Sequence, residues 1–124
     1  MLQVVVVAAG GAAGAVARYL ISIWAAARFG PDFPYGTLLV NISGCFMIGM
    51  VMTVATERVS LQPYWQLLLG VGFIGGLTTF SAFSLETLRL MQTAAFGPAV
   101  ANIGVNLLAG LTATWLGIAV VRLF

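Results

Sequence analysis

The sequence predicts an all-α membrane protein of four transmembrane helices, the third broken at mid-membrane, and three observations carry that expectation. Of its 124 residues, 61% are hydrophobic and 6% charged, against about 25% charged in ordinary globular chains, and mean hydropathy is +1.09. The apolar residues fall into four stretches, about 3–26, 36–55, 64–91 and 98–121, each near the ~20 residues a helix needs to cross a bilayer. The short gaps hold the turn and charge signals: Arg28-Phe29-Gly30-Pro31-Asp32-Phe33-Pro34, then Thr56 to Pro63, then Gln92 to Pro98. A single transmembrane domain over 1–124 is the expected organisation.

The first stretch opens with uncharged Met1-Leu2-Gln3 and is interrupted by Arg18, which argues against a cleaved signal peptide. Its run of small residues from Gly10 to Ala17 suits close helix packing. A phosphate-binding reading of that run fails, since no strand precedes it and all five basic residues are arginines. Arg18 is expensive in a bilayer. It either draws anions toward a pore mouth or anchors at the interface beside Tyr19 and Trp24.

In the second stretch Thr37, Asn41 and Gly44 share a face at i, i+4 and i+7. Asn41 is either interhelical glue, worth about 0.6 to 2 kcal/mol, or a pair of amide donors for an anion.

The third stretch is the most informative. Gly72-Phe73-Ile74-Gly75-Gly76-Leu77-Thr78-Thr79-Phe80 predicts a helix break near 75–79, freeing carbonyls and N–H groups that hydrocarbon cannot satisfy. Such breaks recur at membrane ion sites. Phe80 and Phe83 follow, with Ser84 and Thr87 on a neighbouring face. A phenyl edge is positive and can touch an anion without full charge, which suits a site that must also release it; a lipid-facing role is the alternative. Glu86 is expected to pair with Arg89 one turn on. The fourth stretch carries a ladder one turn apart: Asn102, Asn106, Gly110 and Thr114. The two ladders suggest one polar route.

The chain has no histidine and one cysteine, Cys45, so no Ser-His-Asp, Cys-His or metal-ligand constellation assembles, enzymatic hydrolysis is disfavoured and no enzyme is expected. A net charge of +2 is too small to suggest nucleic acid. With four spans, Arg58 and Arg122 share one side, Arg28 and Arg89 the other. The positive-inside rule therefore finds no asymmetry: either the chain inserts in both orientations, the favoured expectation, or something outside the count sets its orientation. Oppositely inserted copies would pair about a two-fold axis in the membrane plane.

Three segments together resemble the Fluc/CrcB fluoride channel family: Gly10 to Tyr19, Gly36 to Gly44 and Gly72 to Ser84, read as GGxxGAxxRY, GTLxVNxxG and GFxGGxTTFSTFS. Ala82 departs from the family's usual Thr, and Asn102 and Asn106 stand where many members carry Tyr and Ser. The resemblance implies an antiparallel, dual-topology homodimer in the bacterial inner membrane, with two fluoride pathways and a structural sodium ion at its centre. It implies that the carbonyls of Gly75 and Thr78 from both subunits hold the sodium, that Asn41, Phe80 and Phe83 line the fluoride path, and that Arg18 sits at a vestibule. Thr37, Ser81, Ser84, Asn106 and Thr114 are added as further pathway groups. The implied function is passive fluoride export. The chief rival is a proton-coupled antiporter of the small multidrug-resistance type, which needs a carboxylate in the first helix, where this chain has none. A non-transporting assembly subunit is the other, and it leaves the polar break unexplained.

Overall fold

The computed structural model describes residues 1–58 and 63–124; the rest of the second connection, 59–62, lies outside the described residues. The first span is helix α1, Leu2–Phe29, and the second is α2, Tyr35–Thr53, continued by a wider π-helical turn to Arg58. The third span comprises α3 (Pro63–Trp65), a π-helical stretch Gln66–Ile74, α4 (Gly75–Leu77) and α5 (Phe80–Gln92). Helix α6, Phe96–Leu123, is the fourth. Four units, Leu2–Phe29, Tyr35–Arg58, Pro63–Gln92 and Phe96–Leu123, are long and apolar enough to cross a membrane. They run a little past the apolar stretches. Interfacial side chains such as Trp24, Arg28, Tyr35, Trp65 and Arg122 extend the helical ladder toward the headgroups.

Local chemistry sets the helix ends. Gly30 takes φ 85°, a left-handed conformation that glycine adopts without steric penalty, while its N–H still bonds the Ala26 carbonyl at 3.0 Å. Pro31 and Pro34 then keep the chain out of helix until Tyr35. Beyond α5 the turn closes through the Ala95 N–H on the Leu90 carbonyl at 2.8 Å. Pro98 lies in the first turn of α6, where a missing N–H leaves no intrahelical bond unmade.

Glycines define how the spans pack. A side chain at Gly10 would meet the Leu68 carbonyl and Phe73 nitrogen, and one at Gly14 the Phe73 carbonyl and the Leu77 nitrogen. Residue numbers rise together across this contact, so α1 runs parallel to the first half of the third span. The same holds for α2 and α6, where Asn41 meets Asn106, Cys45 lies against Gly110 and Gly49 abuts Thr114. Gly36 at the start of α2 meets Ser22 near the end of α1, so the two parallel pairs are mutually antiparallel. Backbones in contact through glycine are how helices associate where lipid supplies no hydrophobic drive.

The buried apolar set is small: Ala25, Val40, Ile74, Leu77, Ala99 and Ala113. Large apolar residues such as Val16, Leu20, Leu108, Leu111 and Trp115 point outward, as a bilayer solvent allows. At one end of the bundle Arg122 Nε donates to Glu57 Oε2 at 2.9 Å, the one ion pair among the described residues. Arg58 Nη2 caps the carbonyls of Val121 and Arg122, both at 3.0 Å.

Candidate ion pathway

Helical geometry lapses at Thr78 (φ −79°, ψ 156°) and Thr79 (φ −153°, ψ 119°), both extended. Two hydrogen bonds show what the lapse does. The Thr79 N–H, which a continuous helix would aim at the Gly75 carbonyl, donates instead to Asn41 Oδ1 at 2.8 Å. The Ala82 N–H, due to the Thr78 carbonyl, donates to the Thr79 hydroxyl at 3.2 Å, capping α5. Gly75 and Thr78 thus each lose the donor four residues on. The Thr78 carbonyl has Arg18 Nη1 at 3.5 Å, a long contact.

A chain of side-chain amides joins this point to α5 and α6. Asn41 Nδ2 donates to the Thr79 carbonyl at 3.2 Å and to Asn106 Oδ1 at 3.1 Å. Asn106 Nδ2 donates to the carbonyl and to the Oδ1 of Asn102, both at 2.9 Å. Asn102 is fully buried, and its Nδ2 donates to Thr87 Oγ1 at 2.9 Å. The Thr87 hydroxyl in turn donates to the Phe83 carbonyl at 2.7 Å.

Phe80 stands 77% exposed, its ring centroid 5.4 Å from that of Phe83. The Ser81 hydroxyl lies 3.2 Å from that of Thr79, while Ser84 is exposed on the next turn. A cavity of about 530 Å³ is lined by Arg18, Ser22, Thr37, Ser81 and Glu86. It shares Ser22, Thr37 and Glu86 with a larger one of about 680 Å³, which reaches Asp32 and Arg89 between the first and third connections. A third, of about 300 Å³, is lined by Asn41, Gly44, Cys45, Ile74, Gly75 and Thr78.

The fold therefore gathers Arg18, Thr37, Asn41, Thr78, Phe80, Ser81, Phe83 and Asn106 around the lapse, with Gly75 one turn before it. Thr114 stands apart. Its hydroxyl bonds the Gly110 carbonyl at 3.2 Å, and it lines a separate cavity with Glu57 and Arg122, so the hydrogen bond between the two ladders runs from Asn41 to Asn106. Glu86 corrects another expectation. Its Oε1 accepts from Thr37 Oγ1 at 2.9 Å, and no ion pair with Arg89 forms, because the carboxylate turns across to α2 instead of along its own helix. Its Oε2 is buried without a partner. Of the two readings of Asn41, interhelical glue or anion donor, the first describes its bonds here, both Nδ2 protons being engaged within the protein. Sequence reasoning passed over Thr79 and Thr87 as partners of these asparagines, since separations of 38 and 15 residues leave no periodic signal.

These features define a polytopic helical membrane protein whose polar groups collect around a lapse in its third span. The sequence matches the family of CrcB-like protein, Camphor Resistance (CrcB), across residues 5–118, and the chain belongs to that family. Its relatives include proteins named Fluoride-specific ion channel FluC. One from Acidobacterium capsulatum is 48% identical over 92% of this chain and 91% of the relative. One from Solibacter usitatus is 43% identical over 98% and 99%, and one from Shewanella amazonensis 49% identical over 94% of each. The chain is an integral protein of a bacterial membrane.

Proposed function

We propose that this chain is a fluoride-selective ion channel that lets fluoride leave the cytoplasm passively and so limits its toxicity. The observation that carries this reading is likeness over nearly the whole chain to proteins named fluoride-specific ion channels, a likeness that takes in the lapse and the residues around it. The chemistry agrees. A small, strongly hydrated anion needs replacement donors along its path, weak enough to let it go. The ring edges of Phe80 and Phe83 and the hydroxyls of Ser81 and Ser84 are such groups. Asn41 and Asn106 would shape the path, Thr37 would lie at its mouth, Thr114 would serve nearer the other end, and Arg18 would raise the local anion concentration in a vestibule.

The working unit in this proposal is an antiparallel homodimer of oppositely inserted copies, with two pathways. Support comes from the balanced arginines, from Phe80 standing exposed beside the lapse, and from the place of Thr78 and Thr79 at the centre of the span Pro63–Gln92. A residue at the centre of a span would lie at mid-membrane, where a two-fold axis in the membrane plane would bring both copies of it together.

The same axis would suit a structural sodium ion held by the Gly75 and Thr78 carbonyls of both copies. The fit is chemical: those carbonyls have lost their helical donors, and a set of oxygens without a carboxylate suits a hard monovalent cation. Bound there, sodium would supply fixed positive charge in a low-dielectric interior.

The test is fluoride efflux from liposomes holding the purified protein, followed with a fluoride electrode after valinomycin opens a potassium shunt. Rapid efflux is expected. No efflux from well-folded protein overturns the reading, and proton-driven efflux of a cationic dye would replace it with the antiporter.

A further inference from the structure

We infer that Asn102 and Thr87 are positioning residues for the pathway, bracing the Asn106 and Asn41 amides in the one orientation that meets Thr79. The inference rests on the channel reading. An asparagine amide has an oxygen that only accepts and a nitrogen that only donates, and turning it over exchanges the two with almost no change of shape. The Thr79 N–H, which can only donate, chooses the orientation of Asn41 from one side, and the chain of bonds matches that choice from a second fixed end.

That second end is the Phe83 carbonyl, which can only accept. It takes the Thr87 proton at 2.7 Å, so the Thr87 oxygen is left as an acceptor. Asn102 must then present its nitrogen there, at 2.9 Å, which turns its own oxygen toward Asn106. Asn106 answers with its nitrogen, at 2.9 Å, which also reaches the Asn102 main-chain carbonyl at 2.9 Å, and shows its oxygen to Asn41. Asn41 answers with its nitrogen at 3.1 Å and is left with its oxygen facing the Thr79 N–H at 2.8 Å. Each link has one donor and one acceptor, so reversing any one places two donors or two acceptors face to face. Burial makes the ordering strict, because Asn102 has no water to turn to and an unmatched polar group in a dry interior is costly. The two ends of the relay, Thr79 and Phe83, flank the first turn of α5, the turn that carries Phe80. The relay thus leaves α5, crosses α6 and α2, and returns to the residue that caps α5, with a fixed main-chain group at each end.

The experiment compares Thr87→Val, which keeps the shape and removes the hydroxyl, with Thr87→Ser, which keeps the hydroxyl and removes a methyl. Both are measured for fluoride efflux in liposomes beside the wild type, Asn102→Leu and the Thr87→Val/Asn102→Leu double variant, with size-exclusion profiles checking assembly. Thr87→Val is expected to lose flux about tenfold, the scale of one buried hydrogen bond, while Thr87→Ser stays near wild type. Asn102→Leu should fall about as far as Thr87→Val, and the double variant no further than either, since both break the same relay. Where Asn102→Leu fails to assemble, the Thr87 pair decides alone. Wild-type flux in Thr87→Val, or equal losses in Thr87→Val and Thr87→Ser, would reduce Thr87 to packing and overturn the relay. A wild-type protein that passes no fluoride sinks the channel reading, and the relay with it.

Discussion

Phe80 shows most plainly how single residues report on this protein. An exposed phenylalanine immediately past a lapse in the helix is either a lipid contact or part of an ion path, and Phe80→Leu separates the two. On the channel proposal, Phe80→Leu and Phe83→Leu each lower fluoride efflux at least about tenfold, the scale of one or two lost ring contacts, with the size-exclusion profile unchanged. Wild-type efflux in both variants would return the rings to lipid. Asn41, Phe80 and Phe83 were legible in the sequence because polar or paired aromatic residues stand out in an apolar run. Periodicity names a face, however, and says nothing of depth. That is why Thr114, on the same ladder as Asn106, ends in another cavity, and why Glu86 meets Thr37 on α2 and not Arg89 on its own helix.

At the scale of elements, the packing of α1 against the third span is the tightest constraint. The side chain of Gly14→Val would run into the Phe73 carbonyl and lie within 2.9 Å of the Leu77 nitrogen, and backbone cannot swing aside as a side chain can. We expect Gly14→Val to destabilise the fold by about 1–3 kcal/mol, read as a lower unfolding midpoint in detergent, with Gly97→Val, which has open space, as the control that holds its midpoint. Gly75→Pro acts differently. It removes an N–H that bonds the Gly70 carbonyl and displaces the carbonyl proposed as a sodium ligand, so fluoride efflux should disappear; retained efflux would free Gly75 of that role. Glycine placement announced close approach in the sequence. The π-helical turns of Gln66–Ile74 were not announced, because hydropathy and propensity do not distinguish i+4 from i+5 bonding.

For the whole molecule, four apolar stretches were enough to give the count of spans, since bilayer thickness fixes their length. Which spans run side by side was not legible. The parallel pairings are decided by glycine faces on helices far apart in sequence, and no single-chain pattern reports them. Two outcomes test the proposed assembly. A reporter fused after Phe124 should give signal from both sides of the membrane, and lysines added beside Arg58 should bias it to one side and lower efflux; a single orientation in the unaltered chain would refute dual insertion. Removing sodium into a large-cation buffer should lower fluoride efflux, with recovery when sodium returns. Full efflux after verified removal would leave the freed carbonyls to water.

The clasp of Glu57 and Arg58 on the last turn of α6 also has a timetable. Arg58 leaves the ribosome 64 residues before Arg122, a delay of about 3–13 s at ordinary synthesis rates. Through that interval the second connection shows its charges without their partners, and only afterwards does the closing end of the chain arrive to cover them. The clasp therefore comes too late to choose an orientation during biogenesis, and acts instead as a latch on one already chosen. Replacing Glu57 by Gln, which opens the ion pair with Arg122 and keeps the arginines at two against two, should accordingly leave the ratio of orientations expected of dual insertion unchanged in freshly made protein while shortening the lifetime of the folded state in detergent.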